Sequence, residues 1–94
     1  MTDVVNLISS KFLNIAGAAT TIVKSGSGSL KSVIINQAAA GTITIYDNVA
    51  GSGTKIAAFK ASVTEGTYVF NCVVGIGITV VTANASSDVT ITYD

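Results

Sequence analysis

The groups in this chain that could do chemistry are few and scattered. Cys72 is the single thiol. The carboxylates are Asp3, Asp47, Glu65, Asp88 and Asp94, the amines are five lysines, and there is neither histidine nor arginine. Without histidine there is no imidazole for general acid–base work near neutrality, for activating a nucleophile or for ligating a metal. Ser52-Gly53-Thr54-Lys55 has the S-x-x-K spacing of serine–lysine acylases, but that chemistry needs further motifs and a larger scaffold, so the segment reads as a hairpin loop. Gly51-Ser52-Gly53-Thr54-Lys55 echoes a phosphate loop, with the wrong residue order and strands on both flanks. Gly26-Ser27-Gly28 and Gly75-Ile76-Gly77 lack the third glycine of a dinucleotide fingerprint. Asp47 and Asp94 end two similar segments. They could share a calcium ion if those segments lay side by side in parallel, but calcium takes about six or more oxygens and no D-x-D-x-D-G loop is present. They are read as solvated strand ends. No catalytic residue, metal ligand or cofactor is expected, and the chain is not expected to be an enzyme.

The elements around these groups carry more information. Gly41-Thr42-Ile43-Thr44-Ile45-Tyr46-Asp47-Asn48 alternates polar and apolar residues, turns on Asn and Gly, and alternates again from Thr54. Val89-Thr90-Ile91-Thr92-Tyr93-Asp94 nearly repeats it. A period of two with β-branched residues marks strands with one buried and one wet face. Further runs of this kind are Thr20 to Lys24, Leu30 to Asn36, Thr67 to Val73 and Ile78 to Ala83. In Leu30 to Asn36, adjacent Ile34 and Ile35 point to a strand covered on both sides. The spacing of about 8–12 residues between turns predicts an all-β domain, an antiparallel β-sandwich or jelly roll of about seven to eight strands, over residues 19–94. Residues 1–18 are read as an N-terminal arm: Val4, Val5, Leu7, Ile8, Phe12, Leu13 and Ile15 mix spacings of one, three and four, which fits either a short helix or an extended segment, with a plain first strand as the alternative.

Composition bounds the partners. Of 94 residues, 49% are hydrophobic and only 11% charged, against about 25% charged in an average domain. So few charges cannot cover a small domain's surface, and with no proline the sheet edges lack two of the usual protections against pairing. A homo-oligomer is expected, with a trimer favoured. The lysines are dispersed and balanced by five acids, which argues against nucleic acid as a partner. No apolar run approaches the roughly 18 residues of a membrane helix, and no leader is expected at Met1-Thr2-Asp3. Cys72 is expected as a buried free thiol. Asn84-Ala85-Ser86 reads as a turn. The candidate contact residues are Val4, Val5, Leu7, Ile8 and Phe12 in the arm, with Tyr46 and Tyr93 expected on the outer face, where tyrosine suits an interface.

Taken in order, Val23-Lys24-Ser25-Gly26-Ser27-Gly28, Gly41 to Asn48, Gly53-Thr54-Lys55-Ile56-Ala57, Gly77-Ile78-Thr79-Val80-Val81-Thr82 and Asp88 to Tyr93 resemble the small β-sandwich proteins of tailed-phage virions. The resemblance spans roughly Ala19 to Asp94 and not the arm. It implies a virion location and a non-enzymatic structural part, such as a capsid decoration or head-fibre subunit bound to the major capsid protein or another virion protein. A tail, neck or baseplate fibre subunit is the alternative within that setting. A glycan-binding surface adhesin is the alternative outside it.

Overall fold

Strands form where β-branched residues can present one apolar row to a core and one hydroxyl row to water. The computed structural model describes residues 11–37 and 41–94. Its strands are β1 (Lys11–Ala16), β2 (Ala19–Ser25), β3 (Gly28–Gln37), β4 (Ile43–Asp47), β5 (Thr54–Phe59), β6 (Gly66–Val74), β7 (Gly77–Thr82) and β8 (Asp88–Tyr93), and the described residues contain no helix. They make two four-stranded sheets, β1-β8-β3-β6 and β2-β7-β4-β5, with every pair antiparallel. β1 pairs β8, β2 pairs β7, β3 pairs β6 and β4 pairs β5. That is one long hairpin folded at the β4–β5 loop and rolled up, closed by the β3–β8 and β4–β7 pairs. The fold is an antiparallel β-sandwich with jelly-roll topology.

The layer between the sheets is aliphatic. Leu30, Val33 and Ile35 of β3, Ile43 and Ile45 of β4, Ile78 and Val80 of β7, and Val89 and Ile91 of β8 are all buried, with Ile15, Val23 and Val74 completing the layer. The aromatics close the open side between β5 and β6. Phe59 meets Tyr68 at a ring-centroid distance of 5.1 Å and Phe70 edge-on at 6.2 Å, which ties one sheet to the other. At the far end, Thr82 is buried and its hydroxyl donates to the Gly17 carbonyl at 2.6 Å, which ties the β1–β2 connection to the core.

Three expectations change, and one rejected alternative is removed. Residues 11–16 of the arm form a strand of the sandwich: Leu13 and Ile15 face the core while Phe12 and Asn14 face out, a period of two hidden in the longer apolar run. Val4, Val5, Leu7 and Ile8 lie outside the described residues. Tyr93 shares the parity of Val89 and Ile91, sits opposite Leu30 and packs against the core, so it is not an outer-face residue. Ile34 does face outward, but it is half-buried between Thr67 and Thr90 on neighbouring strands, and among the described residues no layer covers it. Asp47 and Asp94 end strands of different sheets, which removes the side-by-side arrangement a shared calcium would need.

The β4–β5 loop folds back over its own sheet. Asn48 Nδ2 donates to the Ser52 carbonyl at 2.7 Å, and the Thr79 hydroxyl donates to the Asn48 carbonyl at 2.7 Å. Thr79 points to the outer face of β7 yet is fully buried beneath this loop. A Cβ at Gly51 would stand 2.9 Å from Val81 Cγ2 and 3.2 Å from Thr20 Cγ2, so only glycine lets the loop lie this close.

Truncating the aliphatic layer should therefore cost far more than trimming an outer face. Ile45→Ala is expected to lower unfolding free energy by about 2–5 kcal/mol, and Ile22→Thr, on the half-exposed outer face of β2, by about 0.5 kcal/mol or less. Urea denaturation with equal slopes for both variants checks this.

Candidate functional site

The outer face of the β1-β8-β3-β6 sheet is built in rows set by strand register. One row runs Phe12, Thr92, Ser32, Val69, and the next runs Asn14, Thr90, Ile34, Thr67. Strands lie about 4.8 Å apart, so Phe12 and Val69 stand about 14 Å apart across the sheet. The first row is polar in the middle and apolar at its rims, and the second has Asn14 and Thr67 at the rims with Ile34 between them. Phe12 is 73% exposed on β1, and Val69 and Val73 are 70% and 84% exposed on β6.

The central polar groups are largely satisfied by one another. Ser32 and Thr92 share a hydrogen bond of 2.6 Å. Asn14 Nδ2 donates to Asp88 Oδ1 at 2.8 Å, to the Val89 carbonyl at 3.1 Å and to Thr90 Oγ1 at 3.1 Å. Asn36 Nδ2 donates to Asp88 Oδ1 at 3.1 Å and Thr90 Oγ1 at 3.0 Å. Asp88 of β8 is thus clamped between amides from β1 and β3. The Asn14 contact first, and then that of Asn36, hold its carboxyl below the usual aspartate range.

Between β3 and β6 the face sinks into a shallow groove of about 290 Å³ lined by Lys31, Ser32, Thr67, Val69, Asn71 and Thr92. A bulge opens it. Two β6 residues, Phe70 and Asn71, stand against Lys31, and Asn71 adopts φ 50°, a left-handed conformation that asparagine tolerates. Lys31 Nζ lies 3.8 Å from Asp94 Oδ2. The groove lining is hydroxyl, amide, ammonium and valine, with no carboxylate or thiol. It can donate and accept hydrogen bonds and offer an apolar wall.

The other cluster lies where β6 crosses to β7. Asp47 Oδ2 accepts from the Gly75 N–H at 3.0 Å, and Oδ1 accepts from Ile76 at 2.9 Å and Gly77 at 3.2 Å. Three successive amides form an anion-binding concavity, and the chain's own carboxylate fills it. These amides, Gly75 foremost, lower the Asp47 pKa. Cys72 sits half-buried on the core side of β6. Burial raises its pKa, its own backbone amide opposes that, and the Asp47 charge adds a smaller upward push.

The sequence-derived contact residues that lie among the described residues do not converge. Phe12 and Tyr46 lie on the outer faces of opposite sheets, with Tyr46 half-buried between Thr79 and Lys55, and Tyr93 faces inward. Val69, Val73 and the Asn14–Asp88–Asn36 clamp were not anticipated. Both faces of β6 carry valines, so hydropathy alone cannot say which of them are left outside. The clamp joins residues 52 and 74 positions apart. Among the described residues, no three His, Cys, Asp or Glu side chains come together as a metal site. No family model matches the chain, and neither a curated protein nor a solved structure does.

The two clamped aspartates set the acid response. Each has a folded-state pKa below its unfolded value of about 3.9, so each stabilises the fold above that value and loses this contribution as pH falls through the lower folded pKa. Asp47→Asn is expected to melt below the parent at pH 7. The gap should close as pH drops below about 4, and thermal melts across pH 2–7 read this out.

Proposed function

We propose that this chain is a non-enzymatic structural subunit of a phage virion, of the capsid-decoration or head-fibre kind, which works as a homo-oligomer and docks on the major capsid protein or another virion protein through its N-terminal residues. The observation that carries this reading is the outer face of the β1-β8-β3-β6 sheet: a self-bonded bed of hydroxyls and amides rimmed by exposed Phe12, Val69 and Val73. Exposed apolar residues around a bed of this kind suit a surface that works by being covered. The low charge content and zero formal net charge are in keeping with a packed component. Jelly rolls serve in viral capsid domains, although the same fold also serves in lectins and cupins, so topology supports the setting without deciding it. The phage resemblance of Ala19 to Asp94 adds the virion location.

The groove lined by Ser32, Thr67, Asn71 and Thr92 favours a second reading, a glycan-binding adhesin, because sugars are held by such hydroxyl and amide groups. A glycan array distinguishes it. Reproducible hits lost in Asn71→Ala would favour the adhesin, and a blank array the structural subunit.

Removing residues 1–10 spares β1 and tests the docking part of the proposal. The truncated protein is expected to keep the parent melting temperature and to disappear from purified particles. Undiminished occupancy would overturn docking through this segment. Mass spectrometry of intact particles then separates the alternatives within the virion: hundreds of copies indicate decoration, and a few to a few dozen indicate a tail, neck or baseplate position.

A further inference from the structure

Among the described residues the two sheets present four edge strands, β1, β6, β2 and β5, and these are not equally protected. Alternate residues of an edge strand turn their N–H and C=O groups away from the sheet, and a charged residue, lysine above all, is the usual guard against pairing with another chain. β1 carries Lys11, β2 carries Lys24 and β5 carries Lys55. β6, Gly-Thr-Tyr-Val-Phe-Asn-Cys-Val-Val, has no charged residue and no proline across its nine positions, and it is the longest of the four. It also carries Val69 and Val73, two of the most exposed large apolar side chains among the described residues.

We propose that the free edge of β6 pairs antiparallel with β6 of a second copy of this chain, joining the two β1-β8-β3-β6 sheets into one continuous sheet. This rests on the reading of the chain as an assembled subunit and names the surface that assembles. An exposed backbone ladder is answered by another extended backbone, and antiparallel pairing about a two-fold axis lets the same strand serve both sides. Zero formal net charge puts no overall repulsion between copies. The bulge at Phe70–Asn71 divides the edge, so regular pairing runs through Gly66–Val69 and Cys72–Val74, with one exposed valine in each half. Nine residues of strand make an edge about 30 Å long. Over the molecule's shortest dimension of 17 Å, that covers about 500 Å² per copy, the low end for a specific interface. Such a contact closes at two and so takes the place of the trimer expected from composition.

The test uses the full chain and multi-angle light scattering over a concentration series. The parent is expected to be a dimer at tens of micromolar. The double variant Val69→Lys/Val73→Lys should keep the parent far-UV circular dichroism and cooperative melt while associating roughly tenfold or more weakly, because like charges then meet across the pair. Phe12→Lys on the opposite edge should leave the dimer intact. Concentration-dependent hydrogen-exchange protection confined to β6 supports the pairing through a readout that needs no variant. A dimer that survives both lysines overturns the β6 edge and leaves assembly standing. A monomeric parent overturns assembly itself, and a trimeric parent overturns the two-fold pairing. Loss of the dimer on removal of residues 1–10, with the lysine variant unaffected, assigns the contact to that segment and overturns this proposal.

Discussion

The aliphatic layer between the two sheets is the constraint on which everything else rests. A chain of 94 residues buries a modest share of its surface, and one cysteine cannot cross-link it internally. Stability must then come from two rows of β-branched side chains meeting face to face. Val33, Ile35, Val89 and Ile91 line one sheet and Ile43, Ile45, Ile78 and Val80 the other, all from the strands in the middle of each sheet. The inward positions of the central strands belong to this layer apart from buried Thr82, so other polar groups are driven to the two outer faces and the ends.

At those ends, charge is handled locally. Asp47 binds the amides of the β6–β7 crossover, which links one sheet to the other, and Asp88 is held by Asn14 and Asn36 across three adjacent strands. Neither carboxylate is left for chemistry at a distance. Both serve as clasps, in which an anion accepts hydrogen bonds from groups that the fold would otherwise leave to water. The Gly75-Ile76-Gly77 turn, which the sequence set aside, does bind an anion, but the anion is the chain's own.

The outer faces divide the remaining labour. One sheet is partly roofed by the folded-back β4–β5 loop, which buries Thr79 and rests Gly51 on Val81 and Thr20. Among the described residues the other carries no such loop and presents its hydroxyl bed and valine rim. The asymmetry is physical: a face with its own cover is finished within the monomer, and a face without one, flanked by an uncharged edge, is where contact with another molecule gains most.

Much of this was legible in the sequence. A strand's alternation is local, so β2 to β8 could be placed from their period of two, and the outward position of Tyr46 followed from Ile43 and Ile45. The absence of histidine was decisive for the kinds of chemistry left open. β1 was harder to see because Lys11–Ala16 continues an apolar run with mixed spacing, and it became a strand only because β8 offers it a partner edge. Pairing itself is non-local. That β3 lies between β8 and β6, that Asp47 meets the β6–β7 turn, that Asn14 reaches Asp88, and that β6 is an edge at all depend on how the long hairpin rolls up. Composition and periodicity thus determined that this is a neutral, β-branched sandwich short of surface charge. Only the tertiary structure decided which strand was left at an edge without a lysine, because an edge is defined by the neighbour a strand lacks.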